Sequence, residues 1–190
     1  MFGSITLENI FSFKKTNVEL RGLNVLIGPN AVGKSNLIEA ISLLQAAPVD
    51  LNVAILRQGG VRVVCSLAGP VASPIAAIEC DKINGEPLQY RLEFSEDAGG
   101  FVILREHLRA ANKDYFQRVA DNVLIGEEPG TISPTQSVFA KYKNPADTTP
   151  ITRIGYKLER IRIYREFRTT GDAQFRRGVS SPRGKILKAS

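Results

Sequence analysis

Eight consecutive residues, Gly28-Pro29-Asn30-Ala31-Val32-Gly33-Lys34-Ser35, have types and spacing suited to one chemistry, the grip on a string of phosphates. The pattern of glycine, four residues, glycine, lysine and a hydroxyl residue is met in full. Gly28 and Gly33 admit backbone torsions and a close approach that side chains would block, so successive N–H groups turn inward on an anion. At the start of a helix those donors share the positive end of the helix dipole. Lys34 is expected to set its ammonium between the β- and γ-phosphates. The Ser35 hydroxyl is expected to ligate Mg²⁺, which bridges the same two phosphates. Asn36 would cap or lengthen the phosphate contacts. The binding set expected for ATP with Mg²⁺ is therefore Gly28, Pro29, Asn30, Ala31, Val32, Gly33, Lys34, Ser35 and Asn36, with Ser35 on the metal side. The bland alternative is a glycine-rich turn that matches by chance.

Such a loop works only between a strand and a helix. Residues 23–27 are nearly continuous apolar sequence ending abruptly at Gly28-Pro29, the pattern of a buried central strand. After the loop, Leu37, Ile38, Ala40, Ile41 and Leu44 recur at three- and four-residue spacing, which predicts an amphipathic helix over 34–47 that stops near Pro48. Residues 2–7 alternate as a half-buried strand, 18–20 suggest a second, and 51–58 a short helix. From residue 61 onward short strands follow at 61–67, 74–80, 88–95 and 101–110, separated by Gly69-Pro70, Asn84-Gly85 and Ala98-Gly99-Gly100. They predict an antiparallel meander that 113–118 and 122–126 extend. Residues 127–149 read as an irregular connector, 151–160 as a helix and 160–167 as a strand. Beyond Arg168 no apolar period remains, and poor order is expected there.

Cleaving a triphosphate takes more than a cradle: a carboxylate to hold Mg²⁺, a group to orient water, and positive charge on the transition state. No hydrophobic strand ends in two adjacent acids. The nearest, Ile75-Ala76-Ala77-Ile78-Glu79-Cys80-Asp81, separates its acids and reads more simply as a surface-facing strand end. Asp97-Ala98-Gly99-Gly100 fits a guanine-nucleotide D-x-x-G only as a turn, and no N-K-x-D follows, so guanine specificity has no support. His107, the one histidine, reads as structural, because no Ser, Cys or carboxylate constellation points to it. Gln136 is a candidate nucleotide-sensing loop residue or simply a solvated glutamine. The catalytic residues stay unassigned.

The chain has 190 residues, enough for one ordinary core and too few for a second full domain. No run of about 18 apolar residues exists to cross a bilayer, and the first residues lack a signal peptide's basic and apolar regions. A cytoplasmic protein without a membrane partner is expected. Cys65 and Cys80 sit in predicted strands without further ligands and read as reduced, buried small hydrophobes. The net charge of +6 is uneven. Residues 1–150 carry 14 Lys+Arg against 16 Asp+Glu, and residues 151–190 carry 11 against 3. The basic end reads either as attraction to phosphate backbones or as a solvated tail.

Ile5-Thr6-Leu7-Glu8-Asn9-Ile10-Phe11-Ser12-Phe13, the apolar run 23–27, the loop 28–35 and Asn36-Leu37-Ile38-Glu39-Ala40-Ile41 together resemble the N-terminal half of AAA-type, ABC-like ATPases. That group includes RecF-type repair proteins, SMC heads and OLD-type ATPases. Asn30 and Asn36 are typical of it. Arg57-Gln58-Gly59-Gly60, Ser137-Val138-Phe139 and Ile161-Arg162-Ile163-Tyr164-Arg165-Glu166-Phe167 look like short motifs of one bacterial branch. The resemblance implies an α/β fold, a P-loop NTPase lobe of ABC/RecF type with a mixed sheet around the P-loop strand and helix plus an antiparallel β-meander. It implies a lobe over residues 1–167 and sets 168–190 apart as a basic, aberrant or disordered tail. Arg165 would stand near the phosphates or merely pack. The family's second half supplies a signature loop, an acid pair and a switch histidine, none of which is present here, so a truncated chain, a frame-shifted product or one half of a split protein is expected.

The first reading is thus an ATP-binding ATPase lobe that works with a homodimeric partner or a complementary C-terminal half, coupled to DNA or to a nuclease or other effector. The second is a non-hydrolysing ATP-binding or assembly module, or an inactive fragment. A GTPase or nucleotide kinase is disfavoured by the meander placed directly after the first helix.

Overall fold

A computed structural model describes residues 2–29, 32–65, 76–83 and 86–164. Among these residues eight strands form one sheet: β1 (Ser4–Ile10), β2 (Phe13–Glu19), β3 (Ala76–Asp81), β4 (Gln89–Asp97), β5 (Gly100–Ala110), β6 (Lys113–Val119), β7 (Asn122–Ile125) and β8 (Glu128–Thr131). Their order is β2-β1-β3-β4-β5-β6-β7-β8, and every pairing is antiparallel. Five helices accompany it: α1 (Lys34–Ala46), α2 (Leu51–Arg57), α3 (Val61–Val64), α4 (Val138–Tyr142) and α5 (Pro150–Glu159). Among the described residues no helix is long and apolar enough to cross a membrane.

Alternation along the strands sends one set of side chains inward. Ile5 and Leu7 of β1, Ile78 and Cys80 of β3, and Tyr90, Leu92 and Phe94 of β4 are all fully buried. Leu43 and Leu44 of α1, Ile55 of α2, Phe139 of α4 and Ile154 of α5 close over that face in the same apolar cluster. Phe139 packs on Tyr90 at 4.9 Å and edge-on against Phe116 at 5.4 Å between ring centroids. The opposite face is polar. There Arg91 binds Glu8, Glu79 and Glu93 at 3.1, 3.0 and 2.7 Å, and its guanidinium holds the Glu8 carboxyl below its usual range.

A bulge places charge in the core. The β4–β5 register shifts at Glu93/Phe94, so the inward residues of β5 run Phe101, Ile103, then Glu106 and Leu108. Glu106 is fully buried and accepts three hydrogen bonds, from the Tyr90 hydroxyl (2.9 Å), the Ser137 hydroxyl (2.6 Å) and the Val138 N–H (2.8 Å). Burial nevertheless pushes its carboxyl above the ordinary value. A carboxyl raised on folding contributes stability below its unfolded pKa and loses that contribution as pH rises through the folded one. The stability advantage of the wild type over Glu106→Gln is therefore expected to shrink from pH 4 to pH 8, measured by denaturant midpoints across that range. Growth of the advantage with pH would contradict the assignment.

Several expectations from sequence are corrected. Residues 23–27 are not a strand, and Leu23, Val25 and Ile27 are 84%, 72% and 90% exposed. A buried strand needs a neighbour at its edges, and no strand of the described sheet, which runs from the β2 edge to the β8 edge, pairs with this run. The sheet is therefore antiparallel throughout, in place of the mixed sheet expected around a P-loop strand. Residues 61–64 turn as helix α3, started after Gly60 (φ 92°), although a Val-rich run favours a strand. Inside 127–149 lie β8 and α4, the latter capped by the Ser137 hydroxyl on the Phe139 N–H. Residues 161–164 are not a strand, and Arg165 and the tail 168–190 lie outside the described residues. Cys65 ends α3, and Cys80 alone of the two is in a strand; both are buried and neither forms a disulfide.

Candidate functional site

Helix α1 begins where the loop ends. Gly33 stands at its N-cap with φ 94° and ψ 5°, in the left-handed region that a glycine enters without strain, and the Leu37 N–H closes the first turn on the Gly33 carbonyl at 3.0 Å. A Cβ at Gly28 would come within 3.2 Å of the Val32 side chain, and one at Gly33 within 3.0 Å of the Ser12 Oγ. Gly33 thus sits where a side chain is disfavoured by both space and backbone conformation, whereas at Gly28 only the exposed Val32 methyl would have to shift. The Lys34 ammonium turns back into the loop and donates to the carbonyls of Gly28 (2.8 Å) and Pro29 (2.5 Å). Ser35 is exposed beside it. Asn30 and Ala31, expected members of the binding set, lie outside the described residues.

Asn36 is differently engaged from the expected phosphate contact, because its side-chain amide donates to the Ser12 Oγ at 2.8 Å. Ser12 was not among the residues singled out from sequence. Its signal in the sequence was membership of the stretch 5–13 that carries the family resemblance, which assigns the serine no role. Gly28, Pro29, Val32, Gly33, Lys34, Ser35 and Asn36 lie about the N-terminus of α1, a helix of 13 residues and therefore about 20 Å long. This segment supplies backbone N–H groups, a helix dipole, one ammonium and one hydroxyl, which is a donor set for an anion.

The other candidates lie elsewhere. Glu79 is held by Arg91 and by the Gln89 amide (2.6 Å) on the polar face of the sheet. Asp81 ends β3, two strands in from the β2 edge, with its carbonyl bound by the Gly3 N–H at 3.0 Å. Asp97 pairs with Gly100 across a tight hairpin turn through Ala98 (φ 47°) and Gly99 (φ 82°), so its D-x-x-G spacing is turn geometry. His107 is half-buried on β5, three strands from β1, and burial followed by the Arg109 charge pushes its imidazole pKa down. Gln136 lines a cleft of about 330 Å³ with residues 49–52 and Ala140, beyond the C-terminal end of α1 and away from the loop. Among the described residues, no group of three or more His, Cys, Asp or Glu side chains could by itself hold a metal ion.

One family match includes this segment. Residues 23–149 match the family described as "AAA domain, putative AbiEii toxin, Type IV TA system". A stretch of 44 residues is 46% identical to the DNA double-strand break repair Rad50 ATPase of Methanopyrus kandleri, covering 23% of this chain and 5% of that protein. The match thus spans a small part of the relative's length.

Proposed function

We propose, for a chain that belongs to this AAA domain family, that it is the nucleotide-holding lobe of an ABC/RecF-type ATPase, binding ATP with Mg²⁺ through residues 28–36. The observation that carries the reading is the geometry at α1: Gly33 left-handed at the N-cap, with the Lys34 ammonium turned into the loop on the Gly28 and Pro29 carbonyls. The residues fit the ligand by donor type. In binding, Lys34 exchanges two neutral carbonyls for phosphate oxygens, a stronger charge-assisted contact. The N–H groups at the start of α1 orient the phosphates along the helix axis. The exposed Ser35 hydroxyl holds Mg²⁺, whose charge offsets that of the triphosphate.

Hydrolysis needs groups this segment does not bring together: residues 28–36 contain no acid, and the Glu79 carboxylate is held by Arg91 and Gln89. In this reading the acid and the water-orienting group come from a complementary half or a second copy of the lobe. The exposure of Leu23, Val25 and Ile27 supports that arrangement, because an extended apolar run beside the loop is the surface another strand would cover. The relative's name speaks of DNA repair, and coupling to DNA or to an effector, in the cytoplasm, is proposed by that analogy. The dispersal of the acids favours a second reading, a module that binds ATP without cleaving it.

Single-turnover hydrolysis of Mg-ATP by the purified chain separates the two. Phosphate release that Lys34→Ala abolishes supports the ATPase reading. Saturable binding without phosphate release supports the binding module.

A further inference from the structure

The turn between β1 and β2 is built at some cost and points at the loop. Ile10 and Phe13 face each other across a two-residue connection, Phe11-Ser12, and Phe11 takes φ 50°, a region that a bulky side chain rarely enters. Three contacts fix it there. The Phe11 N–H donates to the Val64 carbonyl at 2.7 Å, Ile10 bridges to Cys65, and the fully buried Ile10 side chain anchors the base in the core. The tip therefore has little freedom, and it meets the loop on two sides. The Ser12 Oγ accepts the Asn36 amide at 2.8 Å. The same oxygen and the Phe13 ring are the atoms nearest a Cβ built on Gly33, at 3.0 and 3.4 Å, so the turn lies directly against the Gly33 backbone. Strain of this kind persists where surrounding structure over-determines it, and it clusters at ligand clamps.

We propose that Ser12 is a positioning residue for the phosphate loop. Through Asn36 and the face of Gly33 it holds the start of α1 in the shape that points the backbone N–H groups at the phosphates. Its hydroxyl thus sets triphosphate affinity while contributing little to the stability of the fold, since the turn's anchorage rests on Ile10, Phe11, Val64 and Cys65. The inference rests on the reading of residues 28–36 as a nucleotide site.

The test is calorimetric titration of Mg-ATP into the full chain as wild type, Ser12→Ala, Ser12→Thr and the double variant Ser12→Ala/Asn36→Ala, with each thermal midpoint measured without nucleotide. Ser12→Ala is expected to weaken binding by roughly 3- to 10-fold, the scale of one hydrogen bond. Ser12→Thr, which keeps the hydroxyl, recovers most of that loss. The double variant is no weaker than its Ser12→Ala parent, because the two residues act as one unit. Thermal midpoints stay within about 2 °C, in keeping with an exposed side chain. Ser12→Ala binding like the wild type would overturn the proposal while leaving the nucleotide site intact. So would equal losses in Ser12→Ala and Ser12→Thr, or a loss that follows a fall in thermal midpoint. Failure of the wild type itself to bind Mg-ATP would remove the nucleotide reading and this inference with it.

Discussion

Replacing Lys34 by alanine is expected to weaken Mg-ATP binding by roughly 100-fold, about 3 kcal/mol, in a calorimetric titration. Lys34 is the one cation within residues 28–36 and already lies inside the loop, on the Gly28 and Pro29 carbonyls. Its removal takes away the only side-chain charge that opposes the phosphates there. The fold should tolerate the change. Gly28 and Pro29 are exposed, so water replaces the ammonium at their carbonyls, and the apolar side of α1, with Leu37, Ala40, Leu43 and Leu44, is untouched. Unchanged affinity would refute the role given to Lys34.

The largest effect on stability is expected at Arg118. This side chain is 1% exposed, and its guanidinium donates to the carbonyls of Ala120 (2.6 Å), Ser133 (3.0 Å), Pro134 (3.1 Å) and Gln136. Burial holds its pKa below the ordinary arginine value, and the buried Glu106 opposes that shift. One residue thus satisfies carbonyls along the segment that links β8 to α4, and Pro134 in turn accepts the Ile103 N–H at 2.9 Å. Arg118→Ala removes the guanidinium from all four carbonyls, of which Ser133 and Pro134 keep a backbone N–H donor, and takes a compensating charge from Glu106. The expected cost is about 3–5 kcal/mol, the scale of several buried hydrogen bonds lost from a charged donor. At roughly 2–4 °C per kcal/mol for a chain of this size, the thermal midpoint should fall by 10 °C or so. The affinity of the folded fraction for Mg-ATP should stay near that of the wild type, because this network lies on β6 and the 133–137 segment and shares no residue with the loop. A thermal midpoint within about 2 °C of the wild type would contradict the structural role of Arg118.

How much was legible beforehand follows from how local each signal is. Helix α1 was readable because its three-to-four apolar period is local and follows directly on the glycine that caps it. Strands β4 to β7 were readable from alternation and from turn residues such as Gly99 and Gly126. Residues 23–27 misled for a physical reason: a continuous apolar run says that burial is favourable, and it does not say which neighbour provides it. At α3, the β-branched run of Val61, Val63 and Val64 favoured a strand, while the chain instead turns after Gly59 and Gly60, both at positive φ. Strand β8 and helix α4 are too short, at four and five residues, to show any period. The inward placement of Glu106 depends on a register shift in β4–β5 that no single strand's sequence reveals. The contact between Ser12 and Asn36 spans 24 positions and exists only once β1 and β2 bring their turn to the helix.

Equilibrium binding of a fluorescent ATP analogue to the full chain in Mg²⁺, with displacement by unlabelled ATP, tests the central claim most directly. Occupation of residues 28–36 by nucleotide predicts saturable binding of one analogue per chain, competed by ATP and sharply weakened in Lys34→Ala. No saturable signal, or a signal that Lys34→Ala leaves unchanged, would contradict it.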